Sequence, residues 1–112
     1  MMHRILFTAS TFSHIRTFHL PYLRAFRALG WEVDVACGGT PPDLPDADRV
    51  IALPFEKRMS SPANFRAQTR LRRLMRQQAY TLVITHTSLA AFFTRRAAAG
   101  VPPRPPVINM VH

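Results

Sequence analysis

The chain alternates between short apolar runs and longer amphipathic stretches. Ile5-Leu6-Phe7, inside Arg4 to Ala9, is a continuous run of strand formers closed by Ser10-Thr11, and it predicts a buried strand. Residues 18–29 switch to helical spacing: Phe18, Tyr22, Phe26 and Leu29 fall on one stripe, with Arg24 and Arg27 off it. Thr17 is placed to cap this helix and Gly30 to close it, while Pro21 falls in the first turn, where no intrahelical N–H is lost. Glu32 to Cys37 alternates charged and apolar positions around Val33 and Val35, a second strand. Gly38-Gly39 and Pro41-Pro42 make a loop, and Arg49 to Leu53 gives a third strand ended by Pro54.

Ser61-Pro62 combines a capping residue with proline at the first helical position and starts a helix that runs to about Gln78. Leu82-Val83-Ile84-Thr85 is a fourth strand. Thr87 or Ser88 caps a helix through about Ala97, Gly100 ends it, and Val107 to Val111 is a fifth apolar run. The order β-α-β-β-α-β-α-β implies an α/β fold, a Rossmann-like parallel sheet with helices on both faces. A parallel strand stopping at His112 with no helix behind it reads as a truncated domain. At 112 residues the chain holds one domain at most, short for a doubly wound sheet.

In an open α/β sheet, ligands bind beyond the carboxyl ends of the strands. That rule selects the loop Ser10 to Thr17, the turn His86-Thr87-Ser88 and the segment beginning at His112. Each contains a histidine: His14, His86 and His112. A single such histidine more often caps a loop or packs against a helix end; three on one rim favour a ligand site. The first loop lacks G-x-G-x-x-G and offers the hydroxyls of Ser10, Thr11 and Ser13 instead, which disfavours a nicotinamide or flavin dehydrogenase. There is no P-loop motif either. No cofactor is implied.

Charge adds a second candidate surface. The formal net charge is +9, and Lys57 is the only lysine among the basic residues. Such an excess favours an anionic partner, or reflects arginine-rich coding. The helix from Pro62 carries Arg66, Arg70, Arg72, Arg73 and Arg76 on one broad arc, opposite Ala67, Leu71, Leu74 and Met75. Arg66, Arg70, Arg73 and Arg76 are the candidate membrane-facing residues, able to rest on anionic lipid; a solvated face is the common alternative. The basic face lacks interleaved aromatics and carries no nucleic-acid motif, so no nucleic acid partner is expected. Cys37 is the only cysteine, which excludes an internal disulfide and a cysteine metal cluster. No apolar run approaches the roughly 20 residues of a membrane span. Pro102-Pro103-Arg104-Pro105-Pro106 has the composition of a polyproline ligand, but between a helix and a strand it reads as a stiff connector.

Phe18-His19-Leu20-Pro21-Tyr22-Leu23 followed by Gly30-Trp31-Glu32-Val33-Asp34-Val35 resembles the opening of bacterial family-four glycosyltransferases, which build capsule, exopolysaccharide and lipopolysaccharide chains. Pro54-Phe55, Arg58, Ser61-Pro62 and Asn64 resemble the segment after the third strand of those enzymes, and Leu82 to Thr87 their fourth strand and its histidine-containing loop. Met110-Val111-His112 looks like the strand that leads into a His-Gly turn. The resemblance covers essentially the whole chain. It implies a GT-B architecture, with residues 1–112 as part of the N-terminal, acceptor-side domain and the C-terminal donor-binding domain absent. It also implies a retaining transferase without a metal, which takes a nucleotide-sugar donor and a lipid-linked or glycan acceptor. The location implied is cytoplasmic, peripheral on the inner face of the cell membrane. Ser10, His14, Arg16, Arg58, His86, Thr87 and His112 are then the candidate substrate-binding residues, and the isolated chain is expected to be inactive. A basic binding module docking on anionic membrane or a partner protein, and a GT-B-shaped sugar-nucleotide epimerase, are the competing readings.

Overall fold

In the computed structural model, described here for residues 2–15 and 20–110, five parallel strands form one sheet. They are β1 (Arg4–Ala9), β2 (Glu32–Gly38), β3 (Arg49–Leu53), β4 (Leu82–His86) and β5 (Val107–Met110), in spatial order β3-β2-β1-β4-β5. The helices are α1 (Phe12–His14), α2 (Leu20–Ala28), α3 (Pro62–Gln78) and α4 (Ser88–Ala99). Every sheet neighbour is parallel, with Leu6 opposite Asp34 on β2 and Val83 on β4, so each connection must cross over and the helices fill both faces.

Two apolar clusters flank the sheet. On one face Ile5, Phe7, Val33, Val35 and Ile84 meet Leu23 and Phe26 of α2 and the buried Phe12 and Ile15. On the other, Leu6, Ala36 and Val83 meet Leu71 and Met75 of α3 and Ala97 and Ala98 of α4. Phe7 and Phe93 are fully buried, and removing a side chain of that size from water contributes about 2–3 kcal/mol each.

Most elements begin and end where the pattern placed them, with local corrections. Leu23, not Tyr22 or Leu29, is the buried residue of α2; Tyr22 and Leu29 are 42% and 73% exposed. The helix meets the sheet through Leu23 and Phe26, and Leu44 of the loop after β2 joins the same apolar cluster. Phe18 and the expected cap Thr17 lie outside the described residues. The first loop is not an open row of hydroxyls, since its short helix α1 is pinned to the core through Phe12. Ser61 does cap α3, its Oγ accepting from the N–H of Ala63. Gly30 closes α2 in the left-handed region at φ +86°. Gly100 ends α4 at an ordinary φ of −94°; its smallness serves Arg72 instead, whose Nε would lie 2.5 Å from a β-carbon there.

Candidate functional site

β1 lies between β2 and β4, and the chain leaves it towards β2 while β4 is reached through a later crossover. The crevice beyond the carboxyl ends of β1 and β4 is therefore the switch point, the place where an open sheet of this kind leaves room for a ligand. Four candidate residues converge there. The Ser10 N–H donates to Thr87 Oγ1 at 3.3 Å, tying the two strand ends together. The rings of His14 and His86 lie 5.3 Å apart between centroids, tilted by 58° to one another.

His86 is buried, and its Nδ1 lies 3.1 Å from the carbonyl oxygen of Met110 at the end of β5. A carbonyl can only accept, so the proton sits on Nδ1 and the tautomer of the neutral ring is set. Below the rim, Thr8 Oγ1 donates to Thr85 Oγ1 at 2.8 Å and lies 3.0 Å from Thr94 Oγ1 of α4. This satisfied hydroxyl cluster locks β1, β4 and α4 together under the crevice.

Thr87 precedes α4 but does not cap it with its side chain. Its backbone sits at φ +77°, a region costly for a β-branched residue, and its hydroxyl turns back to Ser10. Gly38, at the end of β2, has a reason invisible in the local sequence. A β-carbon there would stand 2.3 Å from the Ser10 carbonyl oxygen and 3.0 Å from Cβ of Phe55. Cys37, next to it, is fully buried, and burial pushes its thiol up to about 12, far from the reactive thiolate range.

Arg58 belongs to the same end of the sheet but follows β3, two strands across from β1, and is exposed. Its loop is shaped by the fully buried Asn64, which accepts from the Glu56 N–H at 2.8 Å and donates to the carbonyls of Glu56 and Arg58. Arg16 and His112 lie outside the described residues. No group of three or more His, Cys, Asp or Glu residues that could hold a metal occurs among the described residues.

A sequence model of Glycosyltransferase Family 4 matches residues 17–112. The chain belongs to that family. It is 34% identical over 98 residues to a Bacillus subtilis (strain 168) protein named "Putative glycosyltransferase EpsD", an alignment that covers 88% of this chain and 26% of EpsD. The chain thus spans about a quarter of the length of that relative. Among solved structures, an L-amino acid ligase from Bacillus licheniformis superposes with a TM-score of 0.60 at 19% identity, over 89% of this chain and 24% of the ligase. At that identity the likeness speaks to the α/β fold alone.

In this family 4 chain, the basic face of α3 divides in two. Arg72 Nε and Nη2 donate to the carbonyls of Ala97 and Arg96, and Arg76 Nη2 to that of Gly100. These guanidinium groups satisfy the carboxyl end of α4 and favour its dipole. Arg76 is thus exposed but already engaged. Arg66, Arg70 and Arg73 instead line, with Phe65 and Thr69, a shallow groove of about 360 Å³. The expectation that this face lacks aromatics is corrected: Phe65 of α3 is 47% exposed and Phe92 of α4 is 46% exposed. Both rings pack edge-on against the buried Phe93, which occupies the inward position they would need.

The opposite end of the sheet carries a polar network. Buried Asp34 accepts from the Tyr80 hydroxyl at 2.5 Å and from Arg49, which also pairs with Glu32, itself bound to Arg4. Burial raises the Asp34 carboxyl above its ordinary range despite the Tyr80 hydrogen bond and the Arg49 charge. Burial and Asp34 push the Tyr80 hydroxyl up as well. The Arg49 hydrogen bond holds Glu32 below the usual range, against its partial desolvation. A cavity of about 460 Å³ lies at this end, lined by Met75, Arg76, Tyr80 and the proline-rich connector. Pro105 of that connector is buried, as suits a stiff link. No described helix is long and apolar enough to cross a membrane.

Proposed function

We propose that this chain forms the acceptor side of a retaining glycosyltransferase of GT-B architecture, which moves a sugar from a nucleotide-sugar donor onto a lipid-linked or glycan acceptor in cell-surface polysaccharide synthesis. The observation that carries this reading is the convergence of Ser10, His14, His86 and Thr87 at the β1–β4 switch point of a family 4 chain. The two histidines contact acceptor hydroxyls or a phosphate, and Ser10 and Thr87 hold the rim in shape. Arg58, Arg16 and His112 extend the same site, with the arginines suited to bidentate phosphate contacts. The donor is held mainly by a second Rossmann-like half outside these 112 residues. The relative length of EpsD supports that division. An acceptor on a lipid carrier places the chain in the cytoplasm, at the inner face of the cell membrane.

Catalysis by positioning needs both sides of the cleft, so the 112-residue chain alone binds acceptor without turnover. The test is an NMR titration of the isotope-labelled chain with a water-soluble short-chain prenyl diphosphate sugar, beside free uridine diphosphate sugar. Shifts confined to Ser10, His14, His86 and Thr87 with the prenyl compound are expected. Stronger rim shifts from the nucleotide sugar, or sugar transfer by this chain alone, would overturn the assignment.

A further inference from the structure

The basic and acidic side chains of this protein are segregated. Residues 57–112 contain ten lysines and arginines and no aspartate or glutamate, whereas all six carboxylate side chains fall between Glu32 and Glu56. Because α3 and α4 both pack on one face of the sheet, the fold turns this sequence asymmetry into a spatial one. The opposite face carries α2, whose Arg24 and Arg27 are paired with Asp46 and Asp48. On the α3–α4 face no arginine forms an ion pair among the described residues.

Two exposed aromatic side chains, Phe65 and Phe92, lie on the same face. Phe65 and Phe92 approach the same buried ring, Phe93, at 5.3 and 5.0 Å between centroids, so they form one apolar cluster. Arg66, Arg70 and Arg73 border it along α3, and Arg95 is exposed one turn beyond Phe92. Both helices begin at the carboxyl end of the sheet, so the cluster sits beside the rim that holds His14 and His86.

We propose that the α3–α4 face docks on an anionic lipid bilayer, with Phe65 and Phe92 entering the acyl boundary and Arg66, Arg70, Arg73 and Arg95 meeting lipid phosphates. This rests on the membrane placement proposed above and names the surface and the anchors. The chemistry fits a bilayer better than a nucleic acid. Single-strand binding uses open aromatic faces spread along a channel. Here the two rings are clustered, and the Arg96 guanidinium stands 5.6 Å over Phe92, covering the face a base would need. An apolar wedge ringed by arginines matches the headgroup–acyl boundary, where cationic and apolar contributions add. The arrangement also turns the rim towards the surface on which a lipid carrier travels.

Trp31 is the only tryptophan and packs on the opposite face, against Phe26 and His3, so it serves as an internal control. The test compares the chain with its Phe65→Trp variant on vesicles of phosphatidylcholine alone and with about one third phosphatidylglycerol, some carrying brominated acyl chains. Binding is expected only to the anionic vesicles, weakening at least tenfold between low and physiological salt. The tryptophan at 65 should be quenched by brominated lipid and Trp31 should not. The pair Phe65→Ser and Phe92→Ser, with unchanged circular dichroism, should lower partitioning tenfold or more. Binding that quenches Trp31 instead, or that is indifferent to the Phe pair, would overturn the surface while leaving the membrane placement standing. No partitioning into anionic vesicles would overturn both, and transfer RNA binding in its place would assign the basic face to nucleic acid. The prenyl-diphosphate titration of the rim reads the acceptor assignment separately from all of these.

Discussion

The α-carbon of Gly38 lies so close to the main-chain oxygen of Ser10 that a β-carbon on residue 38 would stand 2.3 Å from it. The contact is backbone on both sides, and no rotamer change can relieve it. It couples the end of β2 to the loop that begins the candidate site, and Thr87 holds that loop from the other side. Gly38→Ala should therefore act on stability and on the site together. Overpacking of this kind costs about 1–3 kcal/mol. Urea unfolding should show that loss, and the Ser10 and Thr87 amide resonances should move while those of α3 stay in place. A variant as stable as the parent, with an unmoved Ser10 amide, would show that the loop yields freely.

Among the described residues, two other than glycine occupy the left-handed half of backbone space, and they should respond oppositely to side-chain removal. Ala79 closes α3 at φ +51° and is exposed, with its N–H bonded to the Met75 carbonyl. Glycine favours that position, so Ala79→Gly should stabilise the chain by about 0.5–1 kcal/mol. Thr87 differs because its hydroxyl is in use. Thr87→Ala keeps the strained backbone and loses the Ser10 bond, costing about 1 kcal/mol. Thr87→Gly loses the same bond but releases strain, and should be the more stable of the two by about 1 kcal/mol or more. Thermal melts of the three variants decide the order.

Cys37 sits at the end of β2, two residues from the Gly39 turn, yet it is closed to solvent and its thiol is raised to about 12. In the native chain a disulfide reagent such as Ellman's should react only at the rate of unfolding. Addition of urea past the midpoint should release one thiol per chain at once. Rapid labelling without denaturant would mean that the β2 end opens locally, and that the rim is looser than its hydrogen bonds imply.

How much of this was readable from the residues depends on the range of the forces involved. Strands β1 and β4 announce themselves because a strand covered on both faces must be apolar throughout, as Ile5-Leu6-Phe7 and Leu82-Val83-Ile84 are. Ser61-Pro62 announces α3 because capping is decided within three residues. The rim itself followed from strand ends alone, which is why Ser10, His14, His86 and Thr87 could be named together. What escaped depends on partners far along the chain. The alternation of Glu32, Val33, Asp34 and Val35 suggests a half-exposed strand, but β2 is interior, so Asp34 is buried and relies on Tyr80, 46 residues away. Phe65 and Phe92 belong to amphipathic helices whose inward positions were taken by Asn64, Gln68 and Phe93, leaving two aromatics outside. Gly38 looked like half of a Gly-Gly turn, although its contact is with a loop nearly thirty residues earlier.

The Asp34–Tyr80 pair yields the clearest dependence on pH. The Asp34 carboxyl is raised in the folded chain, chiefly by burial, above an unfolded value near 3.9. The folded state therefore holds that proton more tightly. Its contribution to stability is complete below the unfolded value and is lost as pH rises through the raised one. Glu32 runs the other way: held low by Arg49, it stabilises above the ordinary carboxylate range and loses that contribution in acid. The two carboxylates oppose each other on the acid side, so the acid limb should be shallow. At the alkaline end the raised Cys37 thiol lowers stability from the ordinary thiol range upward, and Tyr80 adds to that fall. Its phenol is raised by burial and by Asp34, so the unfolded chain releases the proton first and stability should fall as pH climbs past about 10. Tyr80→Phe should lose about 1–3 kcal/mol at neutral pH, because Asp34 is left with the longer Arg49 contacts of 3.4 Å. The same variant should also flatten the alkaline fall. Urea midpoints between pH 4 and 11 measure both effects. If Tyr80→Phe lowers stability equally at every pH, the hydroxyl contributes packing and hydrogen bonding but no proton linkage.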